Sequence, residues 1–145
     1  SNPSAGELQD LEVNSKKIYE VMAELVNEWG EDVKDEDGFS AVGAVIGATY
    51  PEEAEKLRKI MKDAYFLVPG YGAQGAGAKE VVPSFKDNGY GAIVNSARGI
   101  IFAYQREPWK DEFSAAEYDK AAQAAVKYMQ EDINTALEEA GKLPW

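Results

Sequence analysis

Two short stretches of this chain carry residue types suited to holding an anion. The first is Pro69-Gly70-Tyr71-Gly72-Ala73-Gln74-Gly75-Ala76-Gly77. Glycine has no Cβ to keep a ligand away, so its backbone N–H groups can come close to an oxyanion, and Gln74 adds a side-chain amide donor. The second is Ser96-Ala97-Arg98-Gly99, which follows an apolar run and opens a helical pattern. An arginine there can fork onto phosphate oxygens beside the unpaired N–H groups of a helix start. Composition alone leaves a second reading open, in which the glycines serve a surface loop and Arg98 pairs with a nearby carboxylate. Neither stretch is a complete nucleotide signature. No Gly-Lys-Ser/Thr follows the loop. The spacing G-x-G-x-x-G occurs at Gly70, Gly72 and Gly75, but no long helix with a ribose-binding acid clearly follows it.

Much other chemistry is excluded by composition. The 145 residues include no Cys and no His, so Ser-His-Asp and Cys-His catalysis, disulfides and thiolate metal sites are impossible within this chain. Only Tyr71, Lys79 and Asp87 stand close enough in sequence to the two stretches to be acid–base candidates. A net charge of −11, from 15 Lys+Arg against 26 Asp+Glu, argues against a nucleic-acid partner. No apolar run approaches the ~20 residues of a membrane span, and the polar start is not a signal peptide. These bounds predict a soluble, cytoplasmic α/β unit over 1–145 with neither nucleic acid nor membrane as partner.

The elements that must position the two stretches follow from periodicity. Residues 1–12 read as a loop. From Ser15, the positions Ile18, Val21, Met22, Leu25, Val26 and Trp29 have helical spacing, and Gly30 suits a left-handed helix end. Residues 31–38 form a charged connector. The continuous apolar run 41–48 predicts a strand buried on both faces. Thr49 and Glu52 make a capping box with Pro51 in the first turn, launching a helix that buries Ala54, Leu57, Ile60 and Met61. Residues 65–68 predict a second strand, stopped by Pro69-Gly70, and 91–95 a third, after an Asp87-Asn88-Gly89 turn. Ser96 to Tyr104 opens a short helix. Ser114 and Glu117 form another capping box ahead of a long helix through Ala122, Val126, Met129, Ile133 and Leu137, ending near Gly141. Strands alternating with helices imply a parallel sheet with right-handed crossovers, and ligands of such sheets gather beyond the carboxyl ends of the strands. The three tryptophans, Trp29, Trp109 and Trp145, carry no functional pattern and read as packing or surface residues.

Three segments, VIGATYPEE (45–53), FLVPGYGAQGA (66–76) and GAIVNSARGIIFAY (91–104), resemble in order and spacing the orotidine 5′-phosphate decarboxylase family, most of all its longer bacterial and protozoan-type members. The opening SNPSAGELQ (1–9) is similar to the loop after that family's fifth barrel strand, so the resemblance covers nearly the whole chain and the family's C-terminal half. It implies the C-terminal part of a (β/α)8 barrel, about three parallel strands with crossover helices, in an enzyme that converts orotidine 5′-phosphate to UMP and CO2 without metal or organic cofactor. By resemblance, Gln74 and Arg98 hold the phosphate with backbone N–H groups around Ala97 and Arg98, Ser1 contacts the pyrimidine, and Pro69 lines the base pocket. Ala97 stands where the family has Ser or Gly, a change that keeps the backbone donor.

The family's catalytic Asp/Lys array, a D-x-K-x-x-D motif completed by an Asp from across a homodimer, has no convincing counterpart here. The spacing occurs at Asp32-Val33-Lys34-Asp35-Glu36-Asp37, but in a charged connector with no apolar strand before it. The expected partners are therefore orotidine 5′-phosphate or UMP, the missing N-terminal half of the barrel and, in the complete enzyme, a second subunit. No catalytic residue is expected in this chain, which would be inactive alone. A non-catalytic half-barrel that binds a phosphorylated ligand is the alternative, and an unrelated phosphate-binding α/β enzyme is a third possibility. A sheet of three strands cannot close a barrel, so its inner face and edges should be exposed, favouring dimerisation or swapping.

Overall fold

The computed structural model describes residues 3–72 and 75–145. Three parallel strands, β3 (Ser40–Val45), β4 (Ala64–Pro69) and β5 (Ala92–Asn95), form a sheet in that order. Helix α3 (Pro51–Ile60) connects the first pair, and the short α4 (Ala78–Val81) with a 3-10 turn at Val82–Ser84 connects the second. Ahead of the sheet lie a 3-10 turn (Pro3–Ala5), α1 (Gly6–Gln9), a small hairpin of β1 (Glu12–Val13) and β2 (Lys16–Lys17), and α2 (Ile18–Gly30). After it come α5 (Ala97–Ile101), further 3-10 turns, and the 22-residue α6 (Tyr118–Glu139). Among the described residues no helix is long and apolar enough to cross a membrane.

The main core lies on one side of the sheet. Phe66 and Val68 of β4 point into it and meet Leu57 and Met61 from α3 and its end, Val81 from α4, and Met129, Ile133 and Leu137 from α6. Each of these residues occupies a helical or alternating position, so the helices cover a face that period-2 patterning supplies. A smaller cluster of Ala103, Ala121 and Ala125, with Trp109 and Phe113 against it, fixes the start of α6.

The other face is open. Side chains alternate along all three strands, and Val45, Leu67, Ile93 and Tyr65 remain 67, 43, 58 and 39 % exposed. The expectation of a strand buried on both faces over 41–48 is therefore corrected: β3 shows the alternation of a half-covered sheet. An apolar run cannot distinguish the two cases, because residues that face a barrel interior are as apolar as those that face helices. The exposed inner face expected of three strands is observed.

Four local expectations also change. The stretch 1–12, read as a loop, contains α1, and a β1–β2 hairpin with Asn14 and Ser15 at positive φ in its turn stands between it and α2, which starts at Ile18 and not Ser15. Gly30 is right-handed at φ −81°, not left-handed, and its role is steric, since a Cβ there would collide with the Ser40 hydroxyl. The residue capping α3 is Tyr50, which offers no side-chain cap, so the Thr49–Glu52 box does not form. On α6 the buried stripe begins at Ala121 and Ala125 before Met129, Ile133 and Leu137, leaving Ala122 and Val126 half-buried. The Ser114–Glu117 box does form: the Ser114 N–H and hydroxyl both donate to Glu117 Oε2, at 3.2 and 2.9 Å. Trp29 and Trp145 are exposed, while Trp109 packs edge-on to Tyr128 at 6.0 Å between ring centres.

Candidate functional site

Parallel pairing brings the carboxyl ends of the strands to one edge. Pro69 stands opposite Asn95 in the β4–β5 register, and its carbonyl accepts the Ala48 N–H at 2.9 Å, extending the ladder beyond β3. The chain leaves this edge through three loops, at 46–50, at 70–77 and at Ser96 into α5.

The glycines of the middle loop are used first for geometry. Gly70, Gly72 and Gly75 have φ of 115°, 72° and 94°, a region open to glycine at little cost. The Gly72 N–H donates to the Ala76 carbonyl at 2.7 Å, and the Gly75 N–H to the Gly72 carbonyl at 2.9 Å, closing the turn on itself. The Gly77 N–H donates to Glu80 Oε2 at 2.7 Å, capping α4. The expectation that glycine N–H groups of this loop cradle an anion is thus corrected for Gly72, Gly75 and Gly77, which are already engaged within the chain. Gln74, which lies in this loop, and Ser1 lie outside the described residues.

Ala97 and Arg98 occupy the first turn of α5, both exposed. Their N–H groups precede any intrahelical acceptor. Among the described residues Arg98 makes no ion pair or hydrogen bond, so the local-carboxylate reading of this arginine fails. Ser96 sits at the N-cap but supplies no cap to α5. It is buried, and its hydroxyl donates to the Tyr71 carbonyl at 2.9 Å, joining the start of α5 to the glycine loop. Tyr71 is buried as well, and its own hydroxyl donates to Asp132 Oδ2 of α6 at 2.7 Å. Burial, and then the Asp132 bond, push the Tyr71 phenol well above its usual range, which makes it a fixed donor and not a base. A cavity of about 200 Å³ between this loop, α5 and α6 is lined by Tyr71, Ser96, Gly99, Arg106 and Tyr128 among others.

The other acid–base candidates lie elsewhere. Lys79 is exposed and pairs with Glu139 at 3.4 Å, and Asp87 belongs to the turn ahead of β5 and pairs with Lys142 at 3.4 Å. The D-x-K-x-x-D stretch lies at the amino end of β3. There Lys34 bonds Glu31 at 2.8 Å and Asp63 at 3.1 Å, and Asp35 accepts the Phe39 N–H at 2.7 Å. Those contacts raise the Lys34 pKa, Glu31 first and Asp63 second. At about 3.3 Å per residue, the six residues of β3 hold this cluster roughly 17 Å from the carboxyl edge. Nothing in spacing singles out Asp132, 61 residues beyond Tyr71. Ser96 and Gly99 do carry a legible signal, because residues three apart face each other on a helical turn.

No family model matches the chain. It is 47 % identical over 133 residues to the orotidine 5′-phosphate decarboxylase of Rhodopirellula baltica, covering 92 % of this chain and 44 % of that protein. The chain is homologous to the C-terminal half of orotidine 5′-phosphate decarboxylase. The Caldicellulosiruptor bescii decarboxylase is 42 % identical over 137 residues, with 94 % of this chain and 43 % of that one covered. The chain thus spans a little under half the length of these decarboxylase relatives. Among solved structures, the Leishmania donovani OMP decarboxylase superposes with a TM-score of 0.64 at 26 % identity, over 93 % of this chain and 44 % of its own. The UMP synthase of the same organism gives 0.60 at 28 %, over 86 % and 25 %. The fold is therefore the C-terminal part of a (β/α)8 barrel, with the open sheet face corresponding to part of the barrel interior.

Proposed function

We propose that residues 1–145 act as one α/β unit supplying the phosphate grip and part of the pyrimidine pocket of an orotidine 5′-phosphate decarboxylase, a cytoplasmic, dimeric enzyme when complete. In that reaction the bond from C6 to the carboxylate breaks, CO2 leaves, and C6 takes a proton to give UMP. Arg98 and Gln74 hold the phosphate with the N–H groups of Ala97 and Arg98. Pro69 and Ser1 bound the pyrimidine. Binding energy from the remote phosphate is used at the base, so the grip affects rate as well as affinity. The Asp/Lys array that destabilises the carboxylate and protonates C6 belongs to the other half of the barrel, and the chain alone is inactive.

The observation that carries this reading is Arg98, exposed in the first turn of α5 and without an ion pair or hydrogen bond among the described residues, at the carboxyl edge of the strands. In the complete enzyme, Arg98→Ala should weaken UMP binding by about 2 kcal/mol or more, the loss of a charge-assisted pair. Titration calorimetry measures it, and unchanged affinity would sink the assignment. A second reading, a half-barrel that binds a phosphorylated ligand without chemistry, rests on the same exposed first turn of α5. Denaturing mass spectrometry separates the two. A companion polypeptide carrying D-x-K-x-x-D supports the split or nicked enzyme, and a single species of 15.9 kDa supports the half-barrel.

A further inference from the structure

We propose that Ser96 and Tyr71 are positioning residues that hold the two halves of the phosphate grip in register, through a chain of hydrogen bonds running from α6 to α5. The inference rests on the phosphate reading above and deepens it. Serine at an N-cap ordinarily turns its oxygen toward the N–H groups of the first helical turn. Ser96 does not: it gives α5 no side-chain cap and directs its hydroxyl to the Tyr71 carbonyl at 2.9 Å. The first-turn donors beside Arg98 thereby stay available to a ligand, and the same bond fixes where that turn stands relative to the glycine loop.

Tyr71 carries the restraint inward. Its carbonyl receives Ser96, and its buried hydroxyl donates to Asp132 Oδ2 at 2.7 Å. Asp132 sits in the 22-residue α6, so the loop is anchored to the longest helix of the chain. Gly99 is the steric counterpart: a Cβ at that position would lie 2.5 Å from Ser96 Oγ. The hydroxyl therefore occupies space that only glycine leaves. The sequence pattern for the device is Ser-x-x-Gly at the head of α5 and Tyr inside the glycine loop.

The test uses the complete decarboxylase that carries this segment and compares Tyr71→Phe, Asp132→Ala, Ser96→Ala and Gly99→Ala. UMP and uridine serve as probes that differ by the phosphate. Tyr71→Phe, Asp132→Ala and Ser96→Ala should each raise the Kd for UMP roughly tenfold, as expected when an orienting hydrogen bond is lost, while leaving uridine within about twofold. Gly99→Ala should be similarly harmful alone and add little to Ser96→Ala, because the second change removes the atom that the first would strike. Equal losses for UMP and uridine, or no loss in Tyr71→Phe and Asp132→Ala, would overturn the proposal. Arg98→Ala, measured alongside, separates the two ideas. If it weakens UMP while the four variants do not, positioning fails and the phosphate reading stands. If it also leaves UMP unaffected, the phosphate reading fails.

Discussion

At the scale of single residues, the strongest structural commitment in the chain is Arg58. It is 8 % exposed and satisfies its guanidinium on carbonyl oxygens. Nε and Nη2 donate to Ser84 at 2.9 and 2.7 Å, Nη1 to Met61 and Ala64 at 3.0 and 2.7 Å, and Nη2 again to Gly91 at 2.8 Å. The group lies 3.5 Å over the Phe66 ring. It thus ties the end of α3, the start of β4, the turn before β5 and the lead into β5 itself. Burial pulls its pKa down to about 10, so it remains charged at neutral pH. Arg58→Ala should cost about 4 kcal/mol, because it leaves several buried carbonyls unpaired. Arg58→Lys should recover only part of that, since three donors on a point charge cannot replace a planar fork. Chemical denaturation measures both, and a loss below about 1 kcal/mol for Ala would contradict the role. Nothing in the local sequence announces this residue: Glu55, Lys56, Arg58 and Lys59 look alike as helix-surface charges, and only the tertiary fold buries one of them.

At the scale of elements, short apolar runs located the three strands, and periodicity located the helices α2, α3 and α6, because burial on one face of a helix imposes a repeat that patterning exposes. What it missed depended on contacts across the fold. Gly30 reads as a helix end by type, yet its demand is room for the Ser40 hydroxyl. The glycine loop reads as an anion cradle by composition, yet the Gly72 and Gly75 N–H groups close their own turn. Capping pairs divide the same way: Thr49–Glu52 fits the pattern and does not cap α3, while Ser114–Glu117 caps the turn that feeds α6. Glu117 is held down to about 2, first by Lys120 and then by Ser114. Its folded pKa lies below the ordinary 4.5, so its contribution is complete above about 4.5 and is lost as pH falls toward 2. Amide protection at residues 115–119, relative to the intrinsic exchange rate at each pH, should therefore fall over that window while the middle of α6 stays protected. Ser114→Ala should bring the onset to higher pH, and protection that does not change with pH would exclude the box as the cause.

At the scale of the whole molecule, the open sheet face decides how the chain behaves. Val45, Leu67, Ile93 and Tyr65 line a trough of about 820 Å³ with no described side chain covering their outward surface. In the complete barrel that face is interior, and a charge placed on it must be buried. In the 145-residue chain alone the same face meets water or a second copy. Ile93→Glu should consequently act with opposite signs in the two settings. In the complete enzyme it should destabilise by about 3 kcal/mol or more, from lost apolar burial and an unpaired charge. In the isolated chain it should reduce self-association at little cost in stability, because Ile93 is already 58 % exposed there. Sedimentation velocity across a concentration series reads the second effect, and denaturant titration of both forms reads the first. A substitution that is equally harmful in both forms would mean that the face is covered even in the isolated chain, and that the sheet does not need the rest of the barrel to bury it.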